Sequence, residues 1–310
     1  MKLFLRRVQH TTFQWKIVRV IDELLARFSH HKISAVAAQM TYFFILSCFP
    51  FLITLLNTVN FINEEYVHRV IHTIESLPPE IANILLPFAK EVSTTSSGGL
   101  FSLALIGGLW AASNGLKPAI TAINFSIHEG KNSRSILEKR ILGFVFTILL
   151  VVLFLVTMLF MVFGGKIDGI LRSYIDMPPL LEQILSLRTW IGMLVIFFVL
   201  YMLFYVSPKD KKTAGFHWYT ALPGSFFVCG GIFLFSKLFH VYVKNFGKYS
   251  MTYGSLGGII VFLVWLYLVS TIVLAGAELN ATLWHLKKHR WDLYSSKTLL
   301  FSSLAKKDHR

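Results

Sequence analysis

Leu256–Ala277 reads LGGIIVFLVWLYLVSTIVLAGA, a stretch without a single charge, and Glu278 and Asn280 follow it directly. A helix needs about 20 mostly apolar residues to cross a bilayer, so this segment sets the class of the whole molecule. It also raises a question of chemistry, because an ionisable side chain inside a membrane helix is costly and marks a functional site by default.

The rest of the chain agrees with that class. Of 310 residues, 55% are hydrophobic and only 15% are charged, with a mean hydropathy of +0.60. Soluble domains carry roughly 25% charged residues, so there is too little polar surface here to cover a globule in water. The start, MKLFLRRVQHTTFQWKIVRV, lacks the short apolar core and small-residue cleavage site of a secretory signal peptide. It reads as a retained, basic, amphipathic segment. Cys48 and Cys229 both fall in apolar runs, which suits packing better than a disulfide or a metal site.

Six stretches are apolar and long enough to span: about 36–62, 99–127, 140–164, 187–206, 219–243 and 254–284. The expected fold is all-α, a polytopic bundle of six transmembrane helices with short amphipathic interfacial helices. It divides into a basic amphipathic segment (1–35), the membrane domain (36–284) and a basic tail (285–310). An even number of spans puts both termini on one side, and the distribution of Lys and Arg identifies it. Residues 1–35 hold seven, 128–140 four, 207–218 three and the tail seven, against seven in all the opposite loops. Both termini are therefore expected in the cytoplasm, and the net charge of +14 is expected to meet anionic lipid headgroups there. Nucleic acid is not an expected partner, since no basic soluble domain with aromatic platforms is present.

The loops on the other side echo each other: ESLPPEIANILL at 75–86 and IDMPPLLEQILS at 175–186. Proline ends one helix and can open the next, so 63–98 is expected to form two short surface helices broken at Pro78-Pro79.

Polar residues enter the spans at few places. Gln39 and Tyr42 stand one turn apart in the first span, which Pro50 is expected to kink. The second span carries AASNGLKPAITAIN. Its Ser113, Asn114, Gly115, Lys117 and Pro118 are poor helix formers. They suit either a broken helix lining a polar cavity or a kinked packing helix. In the last span Tyr267, Thr271, Glu278, Thr282 and His285 share one helical face, so Glu278 is expected to look into the bundle. It lies six residues before Trp284, ~9 Å along the axis. Lys117 is its expected partner, with Gln39, Asn114 and Asn124 as others.

Three segments, AVAAQMTYFFILSCFPFLI, GLFSLALIGGLWAASNGLKPAITAIN and YGSLGGIIVFLVWLYLVSTIVLAGAELNATL, resemble the YihY/BrkB family of bacterial multi-pass membrane proteins over roughly residues 20–285. The resemblance implies a six-span protein of the cytoplasmic membrane. It carries over to Tyr42, Pro50, Asn124, Tyr253, Gly254, Gly276, Glu278 and Asn280. The family's former label, ribonuclease BN, is regarded as mistaken, and some members are linked to envelope lipid transport or serum resistance.

Catalytic residues, a metal and a cofactor are not expected. The chain has no H-x-H-x-D-H run, no Walker-type phosphate loop and no G-x-S-x-G elbow. His68 and His72 have ligand spacing, but no third ligand is near in sequence. Two functions remain open: transport of a lipid-like or amphipathic envelope solute through an interior polar strip, or a scaffold that binds partner membrane proteins. The candidate site is Glu278, Asn280, Lys117, Asn114, Ser113, Asn124, Gln39, Tyr42, Thr271 and Tyr253.

Overall fold

The structure is a computed structural model that describes residues 16–62, 68, 71, 72, 74, 75, 86, 87, 89–91, 98–128, 134–153, 188–211, 215–245 and 255–288. Pro78-Pro79, the 175–186 loop, Tyr253 and the tail after Lys288 lie outside them. Among the described residues there is no strand. The main helices are α1 (Lys16–His30), α2 (Ile33–Ile62), α3 (Gly98–His128), α4 (136–153), α5 (Arg188–Val206), α6 (Leu222–Asn245) and α7 (Ser255–Lys288), with one 3₁₀ turn (Trp218–Ala221) leading into α6.

Among the described residues, three helical stretches are long and apolar enough to cross a membrane: Ile33–Thr54, Trp218–Phe239 and Ile259–Lys288. The surface agrees with a lipid environment. Leu103, Ile106, Leu194 and Phe226 are each at least 66% exposed, an outward display of large apolar side chains that water would not tolerate as a contiguous band.

α7 is the hub: it touches α1, α2, α3 and α6, while α2 pairs most extensively with α3. Small residues permit these close crossings. A Cβ on Gly224 would lie 2.2 Å from the carbonyl oxygen of Gly276, so α6 and α7 meet backbone to backbone. Asn280 fastens the same crossing: its Oδ1 accepts the Gly224 N–H at 2.6 Å and its Nδ2 donates to the Ala221 carbonyl at 3.2 Å. α3 meets α2 in a similar way, with Gly108 against Pro50 and Gly115 against the Phe44 ring.

The second span does not break. α3 runs continuously through Ser113, Asn114, Gly115, Lys117 and Pro118, as the packing-helix alternative would have it. Ser113 turns its hydroxyl back to the Trp110 carbonyl, and Lys117 Nζ donates to Asn114 Oδ1 at 2.5 Å. The polar groups are thus satisfied within the helix, and the glycine that weakens it is held by Phe44. α2 likewise continues through Pro50.

Two local devices shape the end of the bundle that holds α1. Between α1 and α2 the chain turns a tight corner at Lys32, whose φ of 52° is left-handed. His31 N–H closes α1 on the Arg27 carbonyl, and the Lys32 carbonyl accepts from Ala35 and Val36 to open α2. α4 begins with a capping box, in which Ser135 Oγ accepts the Glu138 N–H and Glu138 Oε2 accepts the Ser135 N–H.

Candidate functional site

Glu278 is completely buried, at 0% exposure. It sits on α7 one turn before Thr282, also at 0%, and both face the bundle. The helix that the sequence offered as its partner does not supply the charge: Lys117 is engaged with Asn114 on its own helix. Instead His31, from the corner between α1 and α2, brings Nδ1 to 2.7 Å from Glu278 Oε1. The Ser126 hydroxyl, near the end of α3, donates to the same oxygen. Oε1 is thus enclosed between an imidazole nitrogen and a hydroxyl.

Ser126 also joins the cluster through its backbone. Its carbonyl accepts Arg27 Nη1–H at 3.3 Å and His285 Nε2–H at 3.0 Å. This carbonyl belongs to the last turn of α3, where a helix has no intrahelical partner and presents partial negative charge. A cation and an imidazole are well suited to that place. Arg27 is fixed further by Glu23, at 2.9 Å. Four elements thus converge on one buried polar knot: α1, the corner after it, the end of α3 and the C-terminal third of α7. Within it two atoms make no hydrogen bond, Glu278 Oε2 and Thr282 Oγ1.

A second network lies beside the knot. Asn124 Oδ1 accepts the Lys209 N–H at 2.8 Å, and His128 Nε2 donates to the Lys209 carbonyl. Arg134 donates to the carbonyls of Ser207 and Val206, each at 2.8 Å, and of Pro208 at 3.2 Å, and so caps the end of α5. Lys211 stacks over the Tyr205 ring at 3.9 Å. Burial, and then the Arg134 guanidinium, hold its ammonium group below the usual lysine range.

The other candidates are dispersed. Asn280 is buried but serves the α6–α7 crossing. Thr271 bonds back to the Tyr267 carbonyl. Gln39 and Tyr42 stand on the exposed face of α2, Tyr42 at 61% exposure, so α2 does not present them to Glu278. His31, Ser126 and Arg27 are the members that the sequence reading missed. His31 stands two residues before α2, in the run His30-His31-Lys32. An ionisable ring at the mouth of a span is the signal that could have found it.

A partly open cavity of about 220 Å³ is walled by α2 through α7. Met40, Phe44, Phe146, Leu200 and Val273 are among its lining residues, and Ser270 is the one side chain there with a hydroxyl. Among the described residues no group of three His, Cys, Asp or Glu side chains could hold a metal ion.

The family model described as virulence factor BrkB matches residues 24–293. The chain belongs to the BrkB family. Its membrane character follows from that membership together with its apolar helices. Among the relatives of this BrkB protein is one named ribonuclease-like protein YfkH, from Bacillus subtilis, 32% identical over 86% of this chain and 96% of the relative. A UPF0761 membrane protein of Vibrio parahaemolyticus is 28% identical over 84% of this chain and 80% of the relative. Another, from Photobacterium profundum, is 23% identical over 91% and 85%. No solved structure matches the chain. The matched region includes Arg27, His31, Ser126, Glu278 and His285.

Proposed function

We propose that this BrkB protein is a six-span protein of the bacterial cytoplasmic membrane that binds and translocates a lipid-like or amphipathic envelope solute, with both termini in the cytoplasm. The observation that carries the reading is the cavity of about 220 Å³ with an almost wholly hydrocarbon wall. Apolar cavities of ~150 Å³ stay dry and take up apolar guests, so the lining here suits a segment of an acyl chain better than a polar solute. The interior polar strip expected from the sequence is not part of this reading. Thr41, Ser47, Thr54, Ser113, Thr147, Ser225 and Thr271 all bond back to carbonyls of their own helices rather than lining a polar path. The ribonuclease-like wording in the name of the Bacillus relative enters only as the family's old label; the residues give it no metal cluster among those described.

The topology rests on the Lys and Arg distribution, twenty-one in the terminal segments and the 128–140 and 207–218 loops against seven opposite. That side is expected to contact anionic headgroups.

The second reading, a scaffold that carries nothing, is favoured by a different observation. Glu278 is fully buried and tied to two other elements, the corner at His31 and the end of α3, as a structural rivet would be. Two measurements separate the readings. Native mass spectrometry of the purified protein should show a bound lipid, lost on Val199→Phe or Val273→Phe, which fill the cavity. Lipid analysis of each leaflet in deletion and wild-type cells should show a changed distribution. Lipid-free protein together with unchanged leaflets would leave the scaffold.

A further inference from the structure

α1 is strongly amphipathic, but it is mounted the wrong way round for a helix bathed in water. Its polar side faces the protein: Asp22 is 1% exposed and Arg27 8%, with Ala26 between them. Glu23 lies on the same side, bonded to Arg27. Its apolar side faces outward: Ile21 is 49% exposed and Leu25 47%. A solvated amphipathic helix buries its apolar stripe and shows its charges. Here Arg27 is spent on the Ser126 carbonyl, and the partly buried Phe28 packs against the cluster around Ile33 and Leu274.

We infer that α1 lies flat in one face of the membrane, with Ile21 and Leu25 inserted among the acyl chains of the adjacent leaflet and its polar side closing the Glu278 knot. The position of the helix requires little else. α2 is apolar enough to span from Ile33 onward, and α1 ends at His30, only a corner away. The start of a span is the boundary of the hydrocarbon, so α1 is at that boundary. The outward face of α2 continues the same surface with Leu46 at 44% and Phe49 at 45% exposure, side chains that face lipid in a membrane protein. Ile21 and Leu25 extend that apolar surface sideways. Ser29 and His30, the exposed residues at the end of α1, are then left at the headgroup level. Interfacial helices of this kind bury their apolar face ~5–10 Å below the headgroups.

The inference does not depend on what the protein transports. It is tested on the full chain, with Cys48 and Cys229 replaced by alanine, in nanodiscs of phosphatidylethanolamine and phosphatidylglycerol. A nitroxide is attached at Ile21→Cys, Leu25→Cys or His30→Cys, and its collisions with oxygen and with a water-soluble nickel chelate are compared. Positions 21 and 25 should favour oxygen, and position 30 should favour nickel. Both sites replace half-exposed side chains that hold no contact of the core, and either one alone is decisive. Nickel access at 21 and 25 would place the face in water and overturn the inference. Labels shielded from both reagents would overturn it as well, because the face would then be covered by protein, either the tail after Lys288 or a second copy.

Discussion

Removing His31 should injure the protein more than removing the acid it contacts. In the variant His31→Leu, Glu278 stays at 0% exposure with only the Ser126 hydroxyl on Oε1 and nothing on Oε2. Stranding one member of a buried pair costs about 3–5 kcal/mol. Glu278→Gln behaves differently. The amide carries no charge to strand, and the loss is one hydrogen bond, about 1–2 kcal/mol in a membrane protein. The double variant leaves no charge behind, so Glu278→Gln should rescue His31→Leu. A coupling of about 2 kcal/mol or more is then expected, since directly contacting residues couple by about 0.5–3 kcal/mol. Unfolding in mixed micelles, followed by the intrinsic fluorescence of the seven tryptophans, measures all four proteins. Additive losses, with the double variant worse than His31→Leu, would refute the claim that the two side chains form an energetic unit. Replacing Lys117 by Met should leave the Glu278→Gln loss unaltered, because Lys117 bonds to Asn114.

Other outcomes follow from the same contacts. Gly224→Ala should destabilise by about 1–3 kcal/mol through overpacking, since its Cβ would meet backbone at 2.2 Å, whereas Gly230→Ala, with nothing within 4 Å, should be neutral or stabilising; equal melting temperatures for the two would defeat the argument. Lys32→Gly should stabilise by about 1 kcal/mol, because the corner holds a left-handed φ of 52° at a residue with a Cβ, and a lower melting temperature would count against it. Arg134→Ala should lose the cap on α5 and make backbone amides at the end of that helix exchange faster with deuterium. Single cysteines at 132 and 210 should resist an impermeant thiol reagent applied to intact cells; labelling there would invert the proposed topology.

The helical class was legible in the apolar runs, because hydrocarbon tolerates few other arrangements of the backbone. The burial of Glu278 was legible as well, from the small and polar face it shares with Thr282. Its partner was not, because His31 arrives from 247 positions away in sequence through a corner whose geometry depends on one left-handed residue. Gln39 and Tyr42 mislead for another reason. α2 is apolar nearly all round, so its sequence carries no sign of which face turns inward. Composition left open whether α3 breaks. Gly115 and Pro118 lower helix propensity, but the Phe44 ring on Gly115 and the Lys117–Asn114 bond keep the helix whole, as tertiary packing commonly does.

The crossing of α6 and α7 constrains how this molecule could change shape. With Gly224 and Gly276 in backbone contact and Asn280 spanning the gap, neither helix can slide or tilt against the other near that point without losing its packing and its hydrogen bonds together. Any rearrangement at that point should carry the two helices together. If the bundle opens to admit a lipid, the seam must run elsewhere, and the cavity wall formed by α4 and α5, which the clamp does not reach, is where a gate has freedom to part.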